Sequence, residues 1–220
     1  MLTAMQPTIV HVCRHGQVLN PDHVLYGRLP GYGLSELGKQ MAERLADHFA
    51  DVPLDALYVS PLQRAKETMA PIAARHPHLE VTEEPRVIEA GNTLEGRNFG
   101  RFNQRLLFPA NAWHLRNPFL PSWGEPYREV AARMRAAIAD MAASVPVGGQ
   151  ALVVSHQLPI YVARLDAEGR SYLHNPANRE CRLASVTSFH FLDGRVVRVG
   201  YTEPAADLYP VGRRLFRPGM

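Results

Sequence analysis

IVHVCRHG, residues 9–16, joins a short apolar run to an arginine, a histidine and a glycine. Residues 9–13 have the length and apolar content of a buried strand. Arg14 and His15 follow at once, so this strand would carry both side chains at its carboxyl end. Gly16 lets the backbone approach a ligand closely, because glycine has no side chain in the way. The stretch predicts a buried strand that ends in a functional site.

Strands and helices alternate along the rest of the chain. Further strands are predicted at 54–59, 79–83 and 150–156, and a hairpin over 183–203 would turn at Asp193-Gly194. Helices are predicted at 34–50, at 60–76, from about 124 to about 146, and from 158 onward, with Ser35 and Ser60 as N-caps of the first two. This alternation predicts an α/β three-layer sandwich: a mostly parallel central sheet with helices on both faces.

The chain length favours one domain over residues 1–220 with an elaborated insertion. Residues 91–125 read as an irregular, cap-like insertion, and the tail from about 204 to 220 as loosely ordered. Aromatic residues and arginines interleave in 97–125. They would either cover the site as a lid, which favours a bulky anionic or aromatic substrate, or tuck the aromatic rings into the core.

Composition narrows the function classes. The net charge is +3, and the basic residues are nearly all arginines scattered along the chain, which argues against a nucleic-acid partner. No apolar run approaches the roughly 20 residues that cross a bilayer, and the amino terminus lacks a signal-peptide pattern, so we expect a cytoplasmic protein without a membrane partner. Cys13 and Cys181 are expected to be small buried hydrophobes. The sequence leaves open whether the protein forms a homodimer.

Four side chains follow the ends of the predicted strands. Arg14 and His15 follow the first, Arg64 lies one helical turn after the second, and His156 follows the strand at 150–156. The carboxyl ends of parallel strands form the ligand-binding edge of such sheets. We therefore expect two histidines and two arginines to line one pocket.

Several chemistries do not fit this set of residues. Two arginines would repel a metal ion, and no metal-ligand spacing such as H-E-x-x-H is present, so we expect neither metal nor cofactor. Leu19 stands where a cysteine phosphatase with Cys13 as nucleophile needs an arginine. The stretch VVSHQ is not a serine-nucleophile elbow, and no Walker loop is present.

Phosphoryl transfer through a phosphohistidine is consistent with this set of two histidines and two arginines. A neutral imidazole attacks phosphorus well, and histidine can carry the covalent intermediate. Arg14 and Arg64 would neutralise the phosphoryl oxygens and lower the pKa of His15. Asn20 can donate a further hydrogen bond. The reaction also needs a general acid, and Glu89 is the best-placed carboxylate.

These motifs, in this order and spacing, resemble the histidine phosphatase superfamily, the phosphoglycerate-mutase-like proteins, over about residues 9–203. The resemblance rests on CRHGQVLN, SPLQRAKET, the first glutamate of VIEAGNTLEG, and VVSHQLP. It implies that His15 is the phosphorylated nucleophile and that Glu89 is the proton donor. It also implies that Arg14, Asn20, Arg64, His156 and the backbone N–H of Gln157 bind the phosphate of a small phosphorylated substrate.

The chain departs from the family pattern at two places that affect these expectations. The spacer from Glu89 to Glu95-Gly96 is shorter than usual, so Glu95 stays the alternative proton donor. Gln157 replaces the aspartate of the acid-phosphatase branch, which favours the mutase-like branch. We expect a metal-independent phosphomonoester phosphatase. A phosphoglycerate-type mutase and a non-catalytic phospholigand-binding protein stay open as alternatives.

Overall fold

A computed structural model of the protein describes residues 6–98, 124–175 and 178–209. These residues build one six-stranded sheet in the spatial order β3-β2-β4-β1-β5-β6. The first four strands in that order run parallel, whereas β5 and β6 are antiparallel additions at one edge. The strands are β1 Thr8–Arg14, β2 Ala56–Val59, β3 Val81–Glu83, β4 Gln150–Ser155, β5 Val186–Leu192 and β6 Arg195–Thr202.

Helices cover both faces of the sheet, which confirms the predicted α/β sandwich. On the central strand β1, Val10 and Val12 pack on one face and Cys13 on the other, because successive strand side chains alternate. Burial on both faces explains why the parallel strands have nearly continuous apolar sequences. The described helices are α1 Glu36–Phe49 and α2 Gln63–Arg75 on the Cys13 face, with α3 Tyr127–Ala143 and α4 Gln157–Ala167 on the opposite face.

The register of the central strands places their carboxyl ends at one level. Arg14, the last residue of β1, is the partner of Ser155, the last residue of β4. On the other side of β4, Val59 at the end of β2 is the partner of Val154. The residues that follow these three strands therefore emerge side by side at one edge of the sheet.

Local sequence signals set several element boundaries as predicted. The Ser35 side chain accepts a hydrogen bond from Gly38 N at 3.0 Å and caps α1. The β5–β6 hairpin turns through Asp193 and Gly194, which both have positive φ, as a tight hairpin turn requires. Helix α2 differs from its prediction, because it begins at Gln63 with Leu62 as N-cap. Ser60 therefore does not cap it.

The predicted insertion is described only at its two ends. Asn92 pairs with Gly124 and Val24 with Asn98 through isolated β-bridges, which tie both ends of the insertion to the rest of the fold. Residues 99–123, which contain the predicted lid aromatics, lie outside the described residues.

The carboxyl-terminal tail is described as far as residue 209. The sequence predicts a loosely ordered tail from about 204, but Ala205 is buried and a short 3₁₀ helix spans Ala206–Leu208. Tyr209 Oη donates to the carbonyl oxygen of Leu183 at 2.7 Å, so this part of the tail packs on the fold. Residues 210–220 lie outside the described residues. None of the described helices is long and apolar enough to span a bilayer.

Candidate active site

The parallel pairing of β1 and β4 brings the two predicted histidines together. His15 N donates to the carbonyl oxygen of Ser155 at 3.2 Å, and His156 directly follows Ser155, the last residue of β4. The centres of the His15 and His156 rings are 5.2 Å apart, and both side chains are buried. The sequence prediction that these residues meet at one sheet edge is confirmed.

Two contacts fix the protonation of His15. Its Nδ1 lies 2.7 Å from the carbonyl oxygen of Gly16, which can only accept, so Nδ1 donates. Its Nε2 accepts a hydrogen bond from Arg64 Nε at 3.2 Å. Burial holds the pKa of His15 well below its usual range, and the charges of Arg64 and then Arg14 lower it further. The imidazole is therefore neutral, with its lone pair on Nε2.

The turn after His15 is shaped by close backbone approaches and by a threonine. A side chain at Gly16 would collide with the backbone of Gly38 at the start of α1, so glycine is required there. Gly16 N donates to Thr68 Oγ1 at 3.1 Å, and Thr68 in turn donates to the carbonyl oxygen of Arg64 at 2.7 Å. The sequence analysis missed Thr68, although its position four residues after Arg64 places both on one helix face.

Arg64 is completely buried, and its guanidinium is only partly satisfied. Its Nη2 donates to the carbonyl oxygen of Gly27 at 2.8 Å, and the group lies over the ring of Tyr26, 4.8 Å from the ring centre. Its Nη1 is buried without a hydrogen-bond partner among the described residues. Such a donor costs free energy unless a ligand satisfies it, so the arrangement suits an anion beside His15.

His156, at the end of β4, is likewise buried with only part of its hydrogen-bonding capacity satisfied. Its Nε2 lies 2.7 Å from Ser60 Oγ, whereas its buried Nδ1 has no hydrogen-bond partner within the described part of the chain. Burial holds the pKa of His156 well below its usual range, with further lowering by Arg64 and His15. The Ser60 hydroxyl bonds across the sheet to His156, and it also accepts from Leu62 N at 3.5 Å, one residue before α2 begins.

Arg14 and Gln157 meet at one backbone oxygen. Arg14 Nη1 donates to the carbonyl oxygen of Cys181 at 2.8 Å, and Gln157 Nε2 donates to the same oxygen at 3.3 Å. Gln157 is the first residue of α4, where the backbone N–H groups of a helix point toward its amino-terminal end. The role predicted for its backbone N–H stays a prediction.

The contacts of Asn20 are local. Its Nδ2 donates to the carbonyl oxygen of Val24 at 2.9 Å, and its Oδ1 accepts from Val24 N at 3.0 Å. The sequence analysis assigned this amide to phosphate, but in the structure both of its polar ends close the loop over residues 20–24. An asparagine side chain readily forms such hydrogen bonds with the backbone a few residues away, so this loop needs no distant residue to hold the amide of Asn20.

Both candidate proton donors lie close enough to influence Arg64. The charges of Glu89 and Glu95 each raise its pKa against the lowering by burial, and the effect of Glu89 is the larger. Glu89 Oε1 accepts from Ala90 N at 2.9 Å. The Glu95 carboxylate packs against Gly27, where any added side chain would collide with it.

A clamp of charged groups holds the backbone around Glu89. Arg28 Nε donates to the carbonyl oxygen of Glu89 at 2.7 Å, and its Nη2 pairs with Glu125 Oε2 at 2.9 Å. Glu125 also pairs with Arg133 at 2.7 Å, and Arg133 donates to the carbonyl oxygen of Ile88 at 2.9 Å. These contacts fix the position of the Glu89 backbone relative to the sheet edge.

Two neutral histidines and two buried arginines lie together at the carboxyl edge of a mostly parallel sheet, an arrangement that suits an anion. A family model described as the histidine phosphatase superfamily, branch 1, matches residues 10–203, and the chain belongs to that superfamily. The uncharacterized protein Rv0525 of Mycobacterium tuberculosis is 49% identical over 201 residues, which cover 91% of this chain and 98% of that protein.

Solved structures share this fold. The mycobacterial glucosyl-3-phosphoglycerate phosphatase Rv2419c, in a complex with VO₃, is 25% identical with a TM-score of 0.72, and the match covers 90% of this chain and 97% of that chain. The alpha-ribazole phosphatase from Shigella flexneri is 21% identical with a TM-score of 0.67, covering 87% of this chain and 95% of that chain. The second likeness is one of fold alone.

Proposed function

We propose that the protein is a metal-independent phosphomonoester phosphatase that works through a phosphohistidine at His15. The observation that carries the proposal is the state of the His15 ring. Nδ1 is held by the carbonyl oxygen of Gly16, and the Nε2 lone pair lies beside the guanidinium of Arg64. A buried neutral imidazole oriented in this way is a nucleophile poised toward a bound phosphoryl group.

The reaction proceeds in two steps. The Nε2 lone pair of His15 forms a bond to phosphorus while the bond to the ester oxygen breaks, and Glu89 protonates the leaving alcohol. Water then attacks the phosphohistidine, Glu89 takes the proton from that water, and inorganic phosphate leaves with His15 restored. Arg14, Arg64 and His156 stabilise the phosphoryl oxygens in both steps.

Metal independence follows from the charges around the site. Arg14 and Arg64 supply the positive field that a divalent ion would otherwise provide at the phosphoryl oxygens. We expect exhaustive chelation with EDTA to leave turnover of p-nitrophenyl phosphate unchanged. Loss of turnover on chelation, restored by one divalent ion, would overturn this part of the proposal.

The covalent step is tested by trapping the phosphoenzyme. The wild-type protein is mixed with a labelled phosphomonoester and quenched, and we expect an acid-labile, base-stable label, as phosphohistidine gives. His15→Ala should take up no label, whereas the control His78→Ala, at an exposed histidine, should be labelled normally. Full labelling of His15→Ala would exclude His15 as the nucleophile, and absence of label on the wild type would favour a non-catalytic binding protein.

A mutase would share the phosphohistidine, so product analysis separates the two activities. The relative with the phosphatase name at 25% identity supports hydrolysis. We expect negligible interconversion of 2- and 3-phosphoglycerate, even with a bisphosphorylated primer, together with release of inorganic phosphate. Efficient interconversion would favour the mutase and leave His15 and the fold intact.

A further inference from the structure

Thr68 is a fully buried residue of α2, and its hydroxyl connects the turn after His15 to the backbone of Arg64. Its Oγ1 donates to the carbonyl oxygen of Arg64 at 2.7 Å, one helical turn earlier. Gly16 N donates to the same Oγ1 at 3.1 Å. Because a hydroxyl has a single proton, the bond to Arg64 uses that proton and leaves a lone pair for Gly16. The direction of both hydrogen bonds is therefore fixed.

The backbone of Gly16 joins this hydroxyl to the ring of His15. Gly16 N is bound by Thr68, and the carbonyl oxygen of Gly16 accepts from His15 Nδ1 at 2.7 Å. Gly16 also packs tightly against α1, since a Cβ at this position would lie only 2.4 Å from the carbonyl oxygen of Gly38. The hydroxyl of Thr68 therefore helps to fix the backbone whose carbonyl oxygen holds the His15 ring.

Thr68 is also connected to the second nitrogen of the His15 ring. Arg64 Nε donates to His15 Nε2 at 3.2 Å, and Thr68 binds the backbone from which the Arg64 side chain extends. A ring nitrogen that accepts from a donor carries no proton, whereas one that faces a carbonyl oxygen must carry one. Both contacts of the ring therefore require the Nδ1–H tautomer, and Thr68 is linked to one through Gly16 and to the other through Arg64.

We propose that Thr68 is a positioning residue, whose hydroxyl holds Gly16 so that His15 keeps the Nδ1–H tautomer and presents its Nε2 lone pair to the phosphoryl group. The inference rests on the proposed function, in which Nε2 attacks phosphorus. Without the hydroxyl, Gly16 N becomes a buried donor without this acceptor, and the turn lowers its free energy by moving toward another one. The carbonyl oxygen of Gly16 then no longer fixes Nδ1, and a proton on Nε2 blocks the attack.

The kinetic test removes the hydroxyl and keeps the shape of the side chain. Thr68→Val should lower kcat and kcat/KM for p-nitrophenyl phosphate together, by about tenfold to a hundredfold, because the lost contact acts in the chemical step. Inhibition by inorganic phosphate should change less than about threefold, since the side chains that bind the anion are all retained. Thr68→Ser keeps the hydroxyl and should stay within about threefold of the wild type. If Thr68→Val does not fold, Thr68→Cys provides the same comparison, because a thiol is a weak acceptor.

Thr187→Val is the matched control. Thr187 is buried on β5 as the partner of Val12 on β1, and its Oγ1 has no hydrogen-bond partner within residues 6–98, 124–175 and 178–209. The same substitution there removes a buried hydroxyl that holds no other group, so kcat and kcat/KM should stay within about threefold of the wild type. Equal losses in Thr68→Val and Thr187→Val would show an effect of packing alone and overturn the proposal.

NMR of the histidine rings separates positioning from a general loss of packing. Long-range ¹H–¹⁵N correlation spectra show which ring nitrogen carries the proton, and the His15→Gln variant identifies the signals of His15. We expect the Nδ1–H tautomer in the wild type, in Thr68→Ser and in Thr187→Val, and a mixture of tautomers in Thr68→Val. A pure Nδ1–H tautomer in Thr68→Val would contradict the proposal, whatever the turnover of that variant.

Failure of the proposed function gives a different result. In that case neither the wild type nor any variant releases phosphate or forms a phosphoenzyme, but the tautomer of His15 can still be measured. A mixture of tautomers in Thr68→Val, with Thr187→Val unchanged, would support the positioning role in a protein that only binds its ligand. The same tautomer in all of these proteins would mean that Thr68 does not position the ring.

Discussion

His11 lies on β1 and His15 directly follows the last residue of that strand, four residues further along, but the two rings have different surroundings. Both ring nitrogens of His11 are satisfied by neutral groups, Nδ1 with Ser188 Oγ at 2.8 Å and Nε2 with Gln150 Oε1 at 2.9 Å. His15 has one nitrogen on a backbone oxygen, and the other faces a buried guanidinium. Burial is the first cause of a lowered pKa at both rings.

The comparison shows that burial alone does not identify a functional histidine. His11 closes a local network that needs nothing further, which is the usual state of a buried polar group. Around His15, the buried nitrogens Arg64 Nη1 and His156 Nδ1 have no hydrogen-bond partner among the described residues. Buried polar nitrogens without partners beside a neutral nucleophile suit a ligand, and the predictions below test this difference.

The largest expected effect separates activity from stability. His15→Ala should lower turnover by at least about a thousandfold, because the covalent route is lost. His11→Ala should keep turnover within about threefold but lower the free energy of unfolding by about 0.5–1.5 kcal/mol, because its two half-buried partners lose their hydrogen bonds. Phosphate release and urea unfolding of both variants provide the measurements. Comparable loss of turnover in both variants would mean that the two histidines do not differ in function.

Arg64 provides the next largest effect. Arg64→Met should lower kcat/KM for p-nitrophenyl phosphate by about a hundredfold or more, since one transition-state contact of this kind contributes about 3 kcal/mol. The matched control is Arg44→Met, whose side chain pairs at the surface with Asp207 at 3.0 Å and should change kcat/KM little. Equal, small effects of both changes would make Arg64 an ordinary structural residue.

The parts of the site that the sequence predicts come from strand ends. Arg14, His15 and His156 follow apolar strands directly, and parallel pairing then dictates that they meet. Arg64 is predictable because it lies in the first turn of a recognisable helix that follows β2. The layers of the fold are predictable for the same reason, since the alternation of apolar strands and amphipathic helices is a local pattern.

The residues that sequence analysis misjudged depend on contacts across the fold. Ser60 carries a local capping signature, but its hydroxyl meets His156 from another strand. Tyr26 lies in a loop after β1, and no periodicity predicts the path that brings its ring beneath Arg64. Tertiary contacts of this type have no local sequence signal.

A smaller effect on kcat is expected from removing the serine hydroxyl groups that hydrogen-bond to His156 and to His11. Ser60→Ala removes the hydrogen bond to His156 Nε2 and should lower kcat about threefold to tenfold, as expected for one neutral hydrogen bond. Ser188→Ala removes the corresponding bond to His11 and should leave kcat unchanged, with only a small loss of stability. If both variants have wild-type kcat, the orientation of His156 does not matter for the reaction.

The smallest effect concerns pH, and here the two histidines should behave alike. A histidine whose native pKa lies below its unfolded value of about 6.5 contributes full stability above that value. As the pH falls below about 6.5, the ring becomes protonated in the unfolded chain but stays neutral in the native state. The free energy of unfolding therefore declines by up to about 1.4 kcal/mol per pH unit for each such ring. His11 and His15 both have lowered pKa values, and that of His15 is lowered further.

Denaturant unfolding between pH 7 and pH 5 measures this linkage. His11→Gln and His15→Gln should each make the free energy of unfolding less dependent on pH, by up to one proton, although only the second abolishes turnover. In the His15→Gln variant the change should persist to lower pH, because the native pKa of His15 is the more strongly lowered. An unchanged slope in His15→Gln would mean that the native ring already binds the proton in this range. The neutral nucleophile on which the proposed mechanism depends would then be absent near pH 6, whereas the structural role of His11 would be unaffected.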